Sequence, residues 1–479
     1  MLVPELSLTA AALQAEAEKD HSAQWSHIKK LSILSFLYAN LFREKLVALA
    51  LTPAAGANSA QDQELRNTLI ASRAILGPFN ADMMDSAIIW LDHGIRKVLV
   101  AAESSEDVDL QTVAEAVSQL PQSRVVLRIP VDMASLINRD EGETPHAETS
   151  VALRIQEKLK RLKDVASGFV IAIRAPASHL GNAAYQAEFE VVSKALQMIR
   201  EGLDEGDFFA VEWVSAKQES FDRSVMLPRI GDLHRKGISV VAPALPQVSD
   251  EQRTRLVDAG QAFVRCLRSD RPDGLFTTVV TDESGVALGL VYSSEESVLA
   301  AIATGRGVYY SRSRKGLWKK GKSSGNYQTL VQLDLDCDSD ALRFMVRQDG
   351  SGFCHLNTRT CWGEAGGLRY LQAMLESRLQ DAPTGSYTKR LFNDPELLRN
   401  KLVEEAQELA EAETPTHVSE EAADVMYFAM VRCVAAGATL NDVEKQLDKR
   451  SLKVKRRPGN SKAYRIDAAQ EILNKRQKK

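Results

Sequence analysis

Residues Gly305–Gly363 read GRGVYYSRSRKGLWKKGKSSGNYQTLVQLDLDCDSDALRFMVRQDGSGFCHLNTRTCWG. The stretch has two halves. From Gly305 to Leu333 no acidic residue occurs, while Arg306, Arg312, Arg314, Lys315, Lys319, Lys320 and Lys322 make it basic between its glycines. Asp334, Asp336, Asp338 and Asp340 then follow at alternate positions with Cys337 among them, and Cys354, His355 and Cys361 come after. Arginines 312 and 314 suit bidentate contact with phosphate oxygens, and the lysines act as compact point charges. Such cations beside carboxylates and thiols imply a metalloenzyme with a phosphorylated substrate. The alternative for the basic half is a solvated charged surface. Its glycines and Asn326 favour backbone folded closely around a ligand.

DLDCDSDAL alternates as a strand does, with Leu333, Leu335, Cys337 and Ala341 on one face and the aspartates on the other. A row of carboxylates repels itself unless a cation or a basic partner covers it. On a straight strand Asp336 and Asp340 would lie about 13 Å apart, so one ion reaches Asp336, Asp338 and Asp340 only if the strand ends or bends. Cys337, facing the other way, would serve a different metal or complete a site with another chain. Three cysteines without a fourth suit a zinc with one open position. A structural zinc takes four protein ligands, whereas a catalytic one keeps room for a water that ionises near neutral pH. His355, next to Cys354, is placed to move protons. The alternative is three cysteines packed as small hydrophobes in a core.

YYSRSRKGLWKKGKSSGN, DCDSDAL and the later CH…C elements, within about Arg271–Gly363, resemble the phosphoribosyl-AMP cyclohydrolase family of histidine biosynthesis. The resemblance implies Mg²⁺ on Asp336, Asp338 and Asp340, and zinc on Cys337, Cys354 and Cys361 shared across a homodimer. It also implies substrate contacts from Arg312, Arg314, Trp318, Lys320, Ser324, Gly325 and Asn326. Trp362 stands where the family usually has Phe, an aromatic replacement.

After Gly363–Gly367 the pattern turns helical. LRYLQAMLESRLQ precedes a DAPTGSYTKRLFNDP connector, and Asp394 with Pro395 reads as the N-cap and first position of a helix running to about Glu413. That helix carries Glu404, Glu405 and Glu408, the last two sharing a face. Pro415 marks a break, Ser419 is an N-cap candidate, and the next helix carries Glu421 and Asp424 on one face. Two antiparallel helices with these spacings would gather the carboxylates into a bundle site for Mg²⁺. Two solvated, glutamate-rich faces are the alternative. Ala406, Leu409, Ala422, Ala423, Met426 and Tyr427 surround the acids and favour the site.

SYTKRLFNDP, KLVEEAQELAEA and EEAADVMYF, within about Leu368–Gly459, resemble the phosphoribosyl-ATP pyrophosphohydrolase family, an all-α class. By that resemblance Glu404, Glu405, Glu408, Glu421 and Asp424 are metal ligands, the last four with catalytic roles, and Lys389, Arg390 and Lys401 meet phosphates. Thr439 and Asp442 open a further helix to Leu452. LKVKRRPGNSK could close over a triphosphate, and EILNKRQKK reads as a frayed tail. In the fungal multifunctional relatives a histidinol dehydrogenase domain follows at about this point, so a bifunctional or a shortened chain is expected.

Residues 1–268 alternate apolar runs with amphipathic stretches. Strands are expected at Leu46–Leu51, Lys97–Ala101, Arg124–Arg128, Gly168–Ile173, Phe208–Trp213, Ile238–Ala242 and Ala262–Leu267, with MLVPELSL as a further one. Helices are expected at Asp82–His93, Thr112–Leu120, Tyr185–Gly202 and Asp250–Ala259. Seven or eight such βα units could close into a barrel with a parallel sheet inside. EGETPHAETS, at Glu141–Ser150, reads as a polar loop. The region resembles the N-terminal extension of fungal multifunctional histidine enzymes and, more faintly, the barrel isomerases of the same pathway. It carries no phosphate-loop motif, and Asp92–His93 and Glu212–Trp213 read as helix-end or strand-end residues. A scaffold without catalysis is expected.

Composition bounds these readings. A chain of 479 residues suggests about three domains. The net charge of -4 and pI near 6.1 argue against nucleic acid as a partner. Neither a long apolar run nor a basic leader is present. Five cysteines, of which Cys266 and Cys433 read as core, fit the reducing cytoplasm. The expected chain is therefore multidomain: an N-terminal α/β region, barrel-like, over residues 1–268, a β-rich α+β zinc domain over 269–363, an all-α pyrophosphohydrolase bundle over 366–460 and a basic tail over 461–479. It would act on phosphoribosyl nucleotides, without membrane or nucleic acid, as a homodimer through the cyclohydrolase-like domain. The other readings are a fusion with one live activity and a non-enzymatic zinc module that binds nucleic acid.

Overall fold

The computed structural model describes residues 1–8, 30–34, 38–41, 43–51, 60–72, 74–102, 107–137, 147–175, 183–215, 226–250, 252, 256–363, 366–454 and 461–476. The chain divides into two compact units, Met1–Ser351 with Leu452–Val454, and Gly352–Ser451 with Lys455–Lys479.

The first unit opens with a closed parallel barrel. Its strands are β1 (Leu2–Leu8), β2 (Tyr38–Leu41), β3 (Ile75–Phe79), β4 (Lys97–Ala101), β5 (Val125–Asp132), β6 (Gly168–Ala175), β7 (Phe208–Ser215) and β8 (Ser239–Leu245). They pair in chain order, and β1 pairs with β8 to close the ring. The short β9 (Val257–Asp258) pairs in parallel with the end of β8. Among the described residues, helices occupy the connections from β2 to β8, as parallel strands require a crossover. Val3, Tyr38, Ile75, Leu99, Val126, Val170, Ala210 and Val241, one from each barrel strand, form a buried cluster. The near-continuous apolar runs of β5 to β8 follow from burial on both sheet faces.

Several expectations shift here. Leu46–Leu51 lies in the helix Arg43–Leu51, and Ala262–Leu267 falls mostly in the helix Ala259–Arg265. A short apolar run fits a buried helix as well as a strand, and local chemistry decides. At the second site Asp258 does so, since its side chain accepts from Gln261 N at 2.8 Å as an N-cap. Of the helix expected at Asp250–Ala259, Val257–Asp258 form β9 instead and Ala259 begins the helix Ala259–Arg265. Of EGETPHAETS, residues 141–146 lie outside the described residues and Ala147–Ser150 begin the helix Ala147–Arg161. Strands β2 and β3 were not expected. Glu212 sits in mid-strand and ion-pairs with Arg128 at 2.7 Å, while Asp92 and His93 do end a helix, before the left-handed Gly94. Cys266 is buried as expected, but Cys433 is only half-buried.

The same unit continues into a six-stranded sheet: β10 (Phe276–Thr281), β11 (Ala287–Ser293), β12 (Val308–Ser311), β13 (Gly316–Lys319), β14 (Gln328–Leu335) and β15 (Ala341–Gln348). The spatial order is β13-β12-β11-β10-β15-β14, antiparallel except between β10 and β15. The expected hairpin at DESG joins β10 to β11. The expected helix, Glu295–Thr304, is opened by a reciprocal Ser294–Ser297 cap. The basic loop contains a strand of its own, β13, which pairs with β12.

The second unit, from Leu368 on, is helical: Leu368–Gln380, Tyr387–Asn393, Pro395–Glu411, Pro415–Ala435, Leu440–Ser451 and Ala463–Arg476. Leu375, Leu391, Leu398, Phe428, Met430, Val431, Val434 and Leu440 form its core. Asp394 caps the helix that Pro395 begins, as expected, by accepting from Leu397 N at 2.9 Å. Ser419 is not a cap. Thr414 fills that role, and Ser419 Oγ instead donates back to the carbonyl of Pro415 at 2.9 Å. Thr439 and Asp442 form the expected reciprocal cap. The connector contains the helix Tyr387–Asn393, and most of the expected frayed tail is helical to Arg476.

Two candidate metal centres

DLDCDSDAL is not one strand. β14 stops at Leu335 and β15 starts at Ala341, so Asp336–Asp340 form the connection. Ser339 takes a left-handed backbone (φ 68°) and turns the chain. Asp336 Oδ1 accepts from the backbone N–H groups of Asp340 and Ala341, each at 3.1 Å. The bend gathers Asp336, Asp338 and Asp340, whose ligand oxygens all lie within 4.8 Å of one another. The Asp340 carboxyl is raised above its ordinary pKa, first by the charge of Asp338. Crowded hard oxygens with that mutual repulsion fit a divalent cation such as Mg²⁺ or Ca²⁺. Asp334 stays on the strand and pairs with Arg343.

The basic hairpin lies on the same sheet. Arg312 stacks on Tyr292, 4.0 Å from the ring centroid. Lys320 is buried and reaches over Trp318 at 5.6 Å, and Trp318 packs on the buried Tyr309. Arg314 and Ser324 are exposed, and Gly325 has a positive φ. Asn326 is used by the fold: its Nδ2 donates to Ser351 Oγ (3.0 Å) and its Oδ1 accepts from Ser351 N (3.2 Å). Gly321 shows why this loop needs glycine. Its φ is 89°, and a Cβ would come within 2.6 Å of the Tyr327 backbone.

Cys337 is exposed on the first unit. Cys354 and Cys361 belong to the second, in a tight turn where Phe353 N donates to Arg359 O and Asn357 N to Cys354 O. The Cys354 thiol is lowered below its usual pKa, first by the backbone N–H of Leu356, then by the Thr358 side chain and, more weakly, by Cys361. A paired, thiolate-favouring site fits a soft metal such as zinc. His355 is exposed, with Nδ1 3.9 Å from Cys354 Sγ.

In the helical unit Glu405, Glu408 and Glu421 come together from two helices, with ligand oxygens all within 4.8 Å of one another. Glu405 is buried. Glu408 is raised above its ordinary pKa, first by desolvation and then by the charges of Glu405 and Glu421. This donor set also fits a hard divalent cation. Two expected ligands lie outside the trio. Glu404 faces Lys401 Nζ at 3.1 Å, and Asp424, one turn beyond Glu421, is exposed. Lys401 also binds Glu405 (2.5 Å) and lies over Phe428, so its charge is spent on carboxylates. Lys389 Nζ donates to Leu379 O at 2.8 Å, and Arg390 is exposed. Met426, expected to shield the acids, is 51% exposed. Sequence reasoning overlooked His417, whose Nε2 lies 3.2 Å from Glu421; its spacing four residues before Glu421 was the available signal.

Residues 289–363 match the family Phosphoribosyl-AMP cyclohydrolase, and residues 368–451 match Phosphoribosyl-ATP pyrophosphohydrolase. The chain is 49% identical over 225 residues to the histidine biosynthesis bifunctional protein his7 of Schizosaccharomyces pombe, covering 47% of this chain and 54% of that protein. It is 55% identical over 197 residues to the histidine biosynthesis trifunctional protein of Saccharomyces cerevisiae, covering 41% of this chain and 25% of that one. These matches span about half or less of the fungal proteins' own length. The histidine biosynthesis bifunctional protein HisIE of Bacteroides thetaiotaomicron is 33% identical over 192 residues, which cover 38% of this chain and 94% of the bacterial protein. The loop aspartates and the cysteines fall inside the first family segment and the helical glutamates inside the second. The chain thus belongs to the family of histidine biosynthesis bifunctional proteins, hydrolases that join a phosphoribosyl-AMP cyclohydrolase to a phosphoribosyl-ATP pyrophosphohydrolase.

Proposed function

We propose that this chain catalyses two consecutive hydrolyses. The helical centre cleaves phosphoribosyl-ATP to phosphoribosyl-AMP and pyrophosphate. The cyclohydrolase segment then adds water at C6 of the adenine ring and breaks N1–C6, giving the formimino carboxamide ribonucleotide. The observation that carries this reading is the pair of separate carboxylate trios, each inside the segment that matches one of the two families.

In this reading Asp336, Asp338 and Asp340 hold one Mg²⁺, and Glu405, Glu408 and Glu421 hold another, with Glu404 and Asp424 nearby. Cys337, Cys354 and Cys361 hold zinc, with two chains contributing in a homodimer. When bound, zinc supplies a water that ionises near neutral pH, and magnesium offsets phosphate charge. His355 has Nδ1 toward Cys354, which leaves Nε2 to take and return a proton. Arg312, braced on Tyr292, presents its planar fork to a phosphate, and Arg314 and Lys320 add positive charge on the same hairpin. Lys401 offsets part of the charge of Glu405 within the trio. Lys389 and Arg390 lie on the helix before this pair of helices and would meet the triphosphate.

Five free cysteines suit a reducing compartment such as the cytoplasm. Among the described residues, no single helix is long and apolar enough to cross a membrane. The test is incubation of the purified chain with phosphoribosyl-ATP, assaying pyrophosphate and ring-opened product separately. Both should form, pyrophosphate first. Neither product, together with salt-dependent RNA binding, would replace this reading with a nucleic-acid-binding zinc module.

A further inference from the structure

The loop Asp336–Asp340 is held from outside its own sheet. His234, near the end of the barrel helix Leu227–Arg235, places Nε2 2.8 Å from Ser339 Oγ. The Ser339 carbonyl accepts from Arg268 N at 2.8 Å, in the segment that leads from the barrel to the sheet. Just before the loop, Leu333 N on the edge strand β14 donates to Ile33 O at 2.8 Å, and Leu34 bridges to Leu333. Ser339 is 5% exposed and carries the left-handed turn that brings the aspartates together. The barrel therefore grips the loop at the residue whose backbone sets the aspartates' directions.

We propose that His234 is a positioning residue for the cation site of Asp336, Asp338 and Asp340, so that the barrel pre-orders that site. The inference rests on the cyclohydrolase reading of this segment. A loop left free would have to be ordered when the cation binds, and holding it in advance removes that entropic cost from binding. Burial, ahead of the neighbouring amino group of Met1 and Arg235, lowers the imidazole to about 4, so near pH 7 it is a neutral partner for Ser339. The bacterial relative is matched over 94% of its own length by 38% of this chain.

The test uses the full chain with His234→Phe, which keeps volume and loses the bond to Ser339 together with the Nδ1 contact to the Met1 amino group, and with Ser339→Ala, which removes the partner hydroxyl alone. Mn²⁺ binding is titrated by electron paramagnetic resonance with Glu405→Gln and Glu421→Gln also present, to silence the helical trio. Ring opening of phosphoribosyl-AMP is measured against Mg²⁺ concentration in the single variants. Each variant should weaken Mn²⁺ binding and raise the half-saturating Mg²⁺ by about tenfold, as expected for one lost hydrogen bond. The rate at saturating Mg²⁺ should change by less than about twofold, because the bond acts only through the loop. His234→Gln, which restores a donor, should recover most of the loss. The double variant should be no weaker than either single one. Pyrophosphate release should match the parent in His234→Phe. Unchanged Mn²⁺ binding in both variants, or no Mn²⁺ site at the loop in the parent, overturns the proposal. A parent that binds Mn²⁺ there but opens no ring sinks the cyclohydrolase reading alone, and the titration still decides the role of His234.

Discussion

The two acidic trios reach the same donor spacing by different routes. Asp336, Asp338 and Asp340 are near neighbours in sequence, gathered by one bend, exposed or half-exposed, and held by contacts from the barrel. Glu405, Glu408 and Glu421 come from two helices, and the buried Leu398, Phe428 and Val431 of those helices belong to the unit's core. Their electrostatics differ in the same way. The dominant cause of the raised pKa is a neighbouring charge at Asp340 and desolvation at Glu408, where Lys401 partly opposes it. A local cluster takes its shape from whatever holds the loop. A helical cluster takes its shape from the core beneath it.

That contrast predicts which changes break which site. Phe428→Ala should destabilise the helical unit by about 3–5 kcal/mol, because it removes a buried ring and the surface under Lys401. Thermal unfolding with pyrophosphate release as readout would check it, and ring opening should survive. Next in size, Glu405→Gln or Glu421→Gln should lower pyrophosphate release about a hundredfold while phosphoribosyl-AMP is still consumed. Cys354→Ser or Cys361→Ser should remove zinc from about one per chain to none by metal analysis, and phosphoribosyl-AMP should then accumulate.

The smallest expected effect concerns pH and the barrel's grip. His234 is lowered from 6.5 to about 4, mainly by burial. Between those values the unfolded chain binds a proton that the folded chain does not, so the contribution of His234 is complete above pH 6.5 and falls as pH drops toward 4. At this part-exposed site solvent screening leaves the change on the order of 1 kcal/mol. Urea unfolding followed by tryptophan fluorescence should show that slope, and His234→Phe should flatten it.

Sequence legibility followed the range of the interactions. Asp394 with Pro395, and Thr439 with Asp442, are local caps and were readable, as were the apolar strands β4 to β8. Glu405 and Glu408 could be placed on one face by spacing, and Glu421 opposite them by the break at Pro415. Asp424 fits the same periodicity, yet it lies outside the trio, because spacing fixes a face and not a distance. Leu46–Leu51 and Ala262–Leu267 were misread because short apolar runs lack a decisive period. The left-handed Ser339 and its bond to His234 were out of reach, since nothing in DCDSDAL names a partner so far away in the chain.

The claim that two separate centres perform two reactions is decided by one paired assay. Glu421→Gln and Cys354→Ser chains are each given phosphoribosyl-ATP and, in parallel, phosphoribosyl-AMP, with pyrophosphate and ring-opened product both measured. Glu421→Gln should release almost no pyrophosphate and still open phosphoribosyl-AMP. Cys354→Ser should release pyrophosphate at the parent rate and stop at phosphoribosyl-AMP. If either substitution abolished both reactions in a chain that remained folded, the two centres would have to be one functional site, and the account would be wrong.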